Sequence, residues 1–314
     1  VRAAALALAL GLGWANRAGC CWLAGHTPRT VRAPLPPAPG AEPPPPAIRV
    51  LHIGDFGDDT CQQRAVARGI AAAHARAPFD LVVSAGDNLY ECGPDVRLPG
   101  AAACDFAPDG ASAAPGFAPP ADPRFAIFEA PLAPLLRGGE PVPVWLALGN
   151  HDQNSGRSCR EGGLAPEKLG RVRACLEVAH RGRHWRMPGR HYAVDAGPAR
   201  FVVLDSNLLV GDYGGLSADG EVEFFRRATA GCGSRPCFVV AHHPPASAGA
   251  APSAGFLERL RRLEAATAGP IAAWLAGHDH DLQHLRAPGG YDVFISGNGS
   301  RWRDAGFARA APPE

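Results

Sequence analysis

The chain has 314 residues, a formal net charge of +1, 46% hydrophobic and 19% charged residues. That length suits one large α/β domain with its own core and requires no second one. Lys168 is the only lysine and the arginines are scattered rather than gathered into a stripe, which argues against nucleic acid as the main partner.

In chain order, Ala3 to Ala15 is an apolar run behind Arg2. It is short for a membrane span and suits the apolar core of a secretory leader, assigned here to residues 1–21. Cys20 after Ala18-Gly19 faintly resembles a lipid-acylation site, against which Arg17 stands. Residues 22–47, with the proline tract Pro34 to Pro46, read as an extended linker. A secreted or periplasmic location is therefore expected, with no transmembrane span. Of nine cysteines, those beyond the leader should pair in an exported protein. Close spacing nominates Cys92 with Cys104, Cys159 with Cys175, and Cys232 with Cys237. No thiol sits in a C-x-x-C pair, which disfavours metal binding by cysteine.

The folded body is expected over residues 48–314. Strand Ile48 to Ile53 is interrupted by Arg49 and His52 and so is less fully buried. A helix over Cys61 to Arg76 follows, with Val66, Ile70 and Ala73 on one face, and then strand Leu81 to Ala85. Strand, helix, strand in that order implies parallel pairing. Residues 92–123, rich in Ala, Pro and Gly, read as a long surface insertion leaving directly from a strand end. Next come a helix over Phe125 to Leu136, strand Val142 to Leu148, and an irregular excursion from Gln153 to Gly189 with a helix near Glu167 to His180. Tyr192 to Val194, Phe201 to Leu204, Phe238 to Ala241, Ile271 to Ala276 and Tyr291 to Ser296 read as strands. Ser217 and Ser253 cap helices reaching Ala230 and Ala266, with Val222, Phe225, Phe256, Leu260 and Leu263 facing inward.

Five of these apolar runs end in electron-pair donors. Asp55 follows the first and Gly86-Asp87-Asn88-Leu89-Tyr90 the second. Gly149-Asn150-His151-Asp152, His242-His243-Pro244 and Gly277-His278-Asp279-His280 follow the others. Open α/β sheets bind ligands at the carboxyl ends of their strands. Imidazole is the commonest protein metal ligand. Asp, Asp, Asn, His and His at successive strand ends read as a binuclear metal site, with Asp87 the natural bridge. A donor set of oxygen and nitrogen without thiolate suits iron, zinc or manganese.

These motifs resemble the calcineurin-type metallophosphoesterases, and within them the purple acid phosphatases, particularly the small tartrate-resistant kind. The resemblance spans Ile48 to Ser300. It implies a four-layer sandwich of two mixed β-sheets flanked by helices. Most such enzymes carry Asp-x-His in the first motif, where this chain has Asp55-Phe56-Gly57. Tyr90 stands where purple acid phosphatases supply a phenolate instead. The resemblance therefore assigns Asp55, Tyr90 and His280 to Fe(III), with Asp87 shared. It assigns Asp87, Asn150, His242 and His278 to a divalent zinc, iron or manganese. His243 is read as pocket wall.

The implied function is an exported acid phosphatase that hydrolyses phosphomonoesters, small molecules or phosphoproteins, with a metal-bound hydroxide. His151 would contact substrate and help protonate the leaving group. The animal enzymes of this type carry a second acid–base histidine where this chain has Ala251; His191, His284 and the 92–123 insertion are the candidates to replace it. Rival readings are phosphodiester or nucleotide hydrolysis on the same metals, and a secreted phosphate- or partner-binding protein with a decayed site.

Overall fold

The computed structural model describes residues 47–154, 159, 162–249 and 252–302. The expected leader, residues 22–46 of the expected linker, and Ala251 lie outside these residues.

Strand β1 (Val50–Ile53) runs into helix α1 (Cys61–Arg76), and β2 (Leu81–Ser84) returns parallel to β1 with Val50 opposite Leu81. Helix α1 begins where it does because the Thr60 side chain accepts from the Gln63 N–H, one of the donors a first turn leaves unpaired. All four residues of β2 are buried, as expected of a strand covered on both faces, whereas β1 at the sheet edge is only partly so.

Helix α2 (Phe125–Glu129) precedes a hairpin of β3 (Leu136–Arg137) and β4 (Glu140–Pro141), then β5 (Val144–Leu146), α3 (Pro166–Ala179) and β6 (Trp185–Arg186). The second half comprises β7 (Tyr192–Ala196), β8 (Ala199–Val203), α4 (Asn207–Val210), α5 (Ala218–Ala230), β9 (Cys237–Val240), α6 (Ala254–Ala265), β10 (Ile271–Ala276), β11 (Leu282–Arg286) and β12 (Asp292–Ser296).

Strands β1, β2, β5 and β6 form one sheet, entirely parallel, in the order β1-β2-β5-β6. The other sheet has the order β11-β12-β10-β9-β8-β7, with a parallel centre and antiparallel strands at both edges. One buried cluster joins the two sheets and the α1, α2 and α3 side, with Val82, Phe128, Val172, Phe201 and Val240 among its members. A second lies between the larger sheet and helices α5 and α6, through Val239, Trp274, Phe225, Phe256 and Leu263. The layers are therefore helix, sheet, sheet, helix, as expected.

Three expectations are corrected. The helix expected to reach Leu136 ends at Glu129 and tightens into a 3-10 turn over Ala130–Leu132. Pro131 and Pro134 supply no backbone N–H to continue it. Strand β11 went unread because its side chains alternate between exposed and half-buried, with no apolar face to mark it. The disulfides join Cys92 to Cys159 and Cys104 to Cys175, not the near neighbours in sequence; only Cys232–Cys237 follows close spacing. The reason is the path of the 92–123 segment. It is no free surface loop, since Val96, Ala101, Cys104 and Phe106 are buried in the main cluster. That path carries Cys104 to Cys175 on α3, with Cα atoms 5.8 Å apart, and Cys92 to Cys159, at 5.4 Å.

The Cys104–Cys175 bond spans a sequence separation of 71 residues. Its removal in a Cys104→Ala/Cys175→Ala protein should release the corresponding loop entropy to the unfolded chain. The expected loss is up to about 4 kcal/mol of unfolding free energy, read as a lower denaturant midpoint with native-like secondary structure before the transition. An unchanged midpoint would show that the cross-link does not constrain the unfolded chain.

Candidate metal centre

The carboxyl ends of β1, β2 and β5 in one sheet, and of β9 and β10 in the other, open onto a common seam. Asp55, Asp87 and His278 leave their strands with φ of 56°, 52° and 70°. Left-handed backbone at a non-glycine residue costs on the order of 1–3 kcal/mol and persists where surrounding contacts over-determine it. Here those contacts are direct. The Asp55 N–H donates to the Gly86 carbonyl at 2.9 Å, and the His278 N–H donates to Asp55 Oδ2 at 2.9 Å. The His151 N–H donates to Asp87 Oδ1, also at 2.9 Å.

Two groups of donors result, each drawing on both sheets. In the first, Tyr90 Oη lies 2.8 Å from Asp55 Oδ1 and 3.2 Å from His280 Nε2, and His280 Nε2 lies 3.3 Å from Asp55 Oδ1. In the second, Asn150 Oδ1 lies 2.9 Å from His242 Nε2 and 3.0 Å from His278 Nδ1, and the two imidazole nitrogens are 3.2 Å apart. Asp87 stands between the groups. Its Oδ1 is 3.5 Å from His242 Nε2, and its charge also acts on the Tyr90 phenol. All seven residues proposed from sequence as ligands thus converge.

The chemistry of the donor set fits a cation. His242 Nδ1 lies 2.8 Å from the Ala85 carbonyl oxygen, which can only accept, so Nδ1 carries a proton and Nε2 is the nitrogen left to bind a cation. Nε2 faces the Asn150 amide oxygen and the Asp87 carboxylate, two further electron-pair donors that a cation could share with it. A backbone carbonyl behind a ligating imidazole is also the usual support for one. Atoms bound at about 2.1 Å to a common ion stand about 3.0 Å apart in octahedral and about 3.4 Å apart in tetrahedral geometry; the contacts here run from 2.8 to 3.3 Å in the first group and from 2.9 to 3.2 Å in the second, close to the octahedral spacing. The nearby Cys92 and Cys159 are tied up with each other, so the centre offers only oxygen and nitrogen.

Electrostatics follow the same division. Burial pushes the Asp55 carboxyl up, against the opposing pull of its bond to His280. Burial also raises Asp87, but the charges of His242 and then His151 outweigh it and hold the carboxyl below its ordinary value. Burial lowers His242, yet Asp87 and Asp55 together raise it above the usual imidazole range. Burial, reinforced by the Asp55 and Asp87 charges, drives the Tyr90 phenol far above its ordinary value. Without a cation, that phenol stays protonated.

His243 is buried beside this cluster, and its Nδ1 lies 3.0 Å from Ser206 Oγ. It offers one ring nitrogen within 4.8 Å of those of His242 and His278. Burial, then the charges of those two histidines, pushes it well below the imidazole range. Of the expected replacements for the missing histidine, the two imidazoles are committed to other partners. His191 Nδ1 pairs with Glu221 Oε2 at 2.8 Å, and His284, 62% exposed, pairs with Asp292 on the edge strands.

Sequence reasoning missed the floor beneath the donors. The buried Asp152 carboxylate accepts from the backbone N–H groups of Asn88, Leu89 and Gly149 at 2.7, 2.9 and 2.7 Å, and from Asn88 Nδ2 at 3.1 Å. It thereby ties the loop carrying Asp87 to the loop carrying Asn150. Glu177 on α3 accepts a further bond from Asn88 Nδ2 at 3.1 Å. Burial, then the charge of Asp87, pushes Asp152 up to about 6. Burial, then Asp152 itself, keeps the Glu177 carboxyl well above the carboxylate range. The signal for Asp152 was present, as the last residue of Gly149-Asn150-His151-Asp152. Nothing in sequence marked Glu177, which sits in an ordinary helical run.

The calcineurin-like phosphoesterase family model matches residues 48–282. Mouse tartrate-resistant acid phosphatase type 5 is 24% identical over 283 residues, covering 82% of this chain and 74% of its own. The human protein of that name is 25% identical, covering 81% and 74%. Among solved structures, GAP50, the anchor in the inner membrane complex of Plasmodium, aligns with a TM-score of 0.55 at 16% identity over 81% of this chain and 72% of that one. The purple acid phosphatase PPD1 from yellow lupin (Lupinus luteus) seeds aligns with a TM-score of 0.51 at 15% identity over 85% and 47%. At such identities the structural likeness shows the fold alone.

Asp152→Ala would strand three buried backbone donors and remove the tie between two donor loops. The expected destabilisation is about 3–5 kcal/mol, measured by chemical denaturation of the metal-free protein. A loss below about 1 kcal/mol would mean that the loops hold their positions without it.

Proposed function

We propose that this chain, which belongs to the calcineurin-like phosphoesterases, is an exported, purple-acid-phosphatase-like hydrolase of phosphomonoesters that works on two metal ions. The observation that carries this reading is the meeting of two donor groups at Asp87, one with a phenol and one with an amide oxygen and two imidazoles. Asp55, Tyr90, His280 and Asp87 would hold one ion, and Asn150, His242, His278 and Asp87 the other. The anionic phenolate favours Fe(III) in the first position, and the softer second set favours zinc, iron or manganese. Similarity to tartrate-resistant acid phosphatases supports the monoester substrate class. Disulfides at Cys92–Cys159, Cys104–Cys175 and Cys232–Cys237 support export. No helix among the described residues is long and apolar enough to cross a membrane.

When bound, the two ions would neutralise phosphate charge and acidify water for attack at phosphorus. The protein's own part is proton delivery and alignment. His151 presents Nε2 towards the donors, 4.0 Å from Asp87 Oδ2. Its Nδ1 lies 2.8 Å from the Glu91 carbonyl oxygen, an acceptor, so Nδ1 carries a proton. As water's oxygen bonds to phosphorus and the bond to the leaving oxygen breaks, a proton held at Nε2 passes to that leaving oxygen and is regained from solvent.

The first test is a visible absorption spectrum of purified, unreduced protein, with metal content and p-nitrophenyl phosphate hydrolysis measured on the same sample. The proposal expects a purple to pink band with iron present, lost in Tyr90→Phe, and hydrolysis of ethyl phosphate, whose alkoxide needs a proton, reduced on the order of a hundredfold or more in His151→Ala. A colourless active protein with two zinc or manganese ions would keep the phosphoesterase and remove the ferric assignment. No metal and no turnover, even after reconstitution, would overturn the enzyme reading and favour a protein that binds phosphate or a partner without turnover.

A further inference from the structure

His151 sits at the rim of the centre against Tyr90, with ring centroids 4.4 Å apart, and its side chain is 22% exposed. Two acceptors from one residue meet its Nδ1. The Glu91 backbone carbonyl is 2.8 Å away and the Glu91 carboxylate Oε2 is 3.2 Å away. The opposite nitrogen looks inward at Asp87. Glu91 is itself held. Its other carboxylate oxygen pairs with Arg301, whose guanidinium also pairs with Asp58 at 2.7 Å and lies over the Tyr90 ring, 4.0 Å from its centroid. The next residue, Cys92, is bonded to Cys159, which anchors the backbone. Arg301, Glu91, His151 and the donor cluster therefore form a continuous line from the rim to Asp87.

We propose that Glu91 is a positioning residue for His151, with Arg301 clamping Glu91 in turn, and that the pair equips a single histidine to serve alkyl phosphomonoesters. The proposal rests on the phosphomonoesterase reading above. An imidazole that has just given up the Nε2 proton can exist as either of two tautomers and can swing about its side-chain bonds. Two acceptors on the Nδ1 side select one tautomer and one orientation, the supporting role a carboxylate plays behind other catalytic imidazoles. This matters most where the leaving group is an alkoxide, which needs a proton as its bond to phosphorus breaks. A nitrophenolate departs without one. With His191 and His284 committed elsewhere, the burden falls on His151.

The test uses the full chain reconstituted with metal, with Glu91→Ala, Glu91→Gln and Arg301→Gln compared on ethyl phosphate and p-nitrophenyl phosphate. Glu91 is 54% exposed, so its replacement leaves the core intact. Glu91→Ala should lower kcat for ethyl phosphate on the order of ten- to hundredfold, with KM little changed and a much smaller fall for p-nitrophenyl phosphate. Glu91→Gln, which keeps an acceptor oxygen, should restore most of the loss, and Arg301→Gln should fall between. In the metal-free protein, NMR contacts between the His151 and Tyr90 rings should be well defined in the parent and weakened in Glu91→Ala, as the ring loses one of the two acceptors that fix its orientation. Equal turnover by parent and Glu91→Ala on both substrates, or an equal loss on both, would overturn the proposal. If the parent hydrolyses neither substrate, the phosphomonoesterase reading fails. The ring contacts then still judge the positioning, and an unchanged His151–Tyr90 ring geometry in Glu91→Ala overturns it.

Discussion

Electron-pair donors do not gather unassisted. At the seam between the two sheets, a carboxylate, an amide oxygen and imidazole nitrogens are held 2.9 to 3.5 Å apart, and burying such polar groups is costly unless their partners are fixed. Much of the local architecture does that fixing. Strand ends turn through left-handed backbone at Asp55, Asp87 and His278 to aim these groups at one another. Bonds across the seam then fix them, from His242 to the Ala85 carbonyl and from the His278 N–H to Asp55. Neither sheet contains the centre alone, so the apolar packing of one sheet on the other is also what assembles it.

Close approach of backbone completes the arrangement. Gly86 has a φ of 88°, and a Cβ there would come within 2.6 Å of the Gly149 nitrogen. A glycine at this point lets the Asp87 and Asn150 loops touch, and touching loops let one carboxylate, Asp152, bind N–H groups from both. The buried carboxyl pair of Asp152 and Glu177 would be unfavourable with two negative charges. Burial pushes both carboxyls up, reinforced at Asp152 by the charge of Asp87 and at Glu177 by that of Asp152. The floor is thus a polar structure buried in an apolar core and justified by the groups it supports.

The sequence made the donor set readable because the strands are short, apolar and followed at once by chemistry-bearing residues. Ile271 to Ala276 running into Gly277-His278-Asp279-His280 is the clearest case, and β10 has those bounds. Features built by packing were hidden. Spacing nominated Cys92 with Cys104, but the arch of 92–123 over α3 brings distant cysteines together. Strand β11 has no apolar period because it is an edge strand facing water. Glu91 and Arg301 carried no signal at all, since their meaning lies in a contact between residues 210 positions apart.

Floor and rim are held by different physics, and the difference bears on how such a centre can vary. Beneath the donors, Asp152, Asn88 and Glu177 are buried and bonded to backbone, so a change there disturbs folding before it adjusts chemistry. At the rim, Glu91 and Arg301 are partly exposed, and the support beside them is a disulfide that does not depend on their identity. Exposed ion pairs contribute little to stability, so replacing them leaves the fold nearly unchanged. Substitution at the rim can therefore alter how His151 meets a leaving group while the donor cluster stays as it is. A fold arranged this way keeps its donor cluster on buried, backbone-bonded supports and leaves the contact behind His151 on exposed ones, where a substitution costs the fold least.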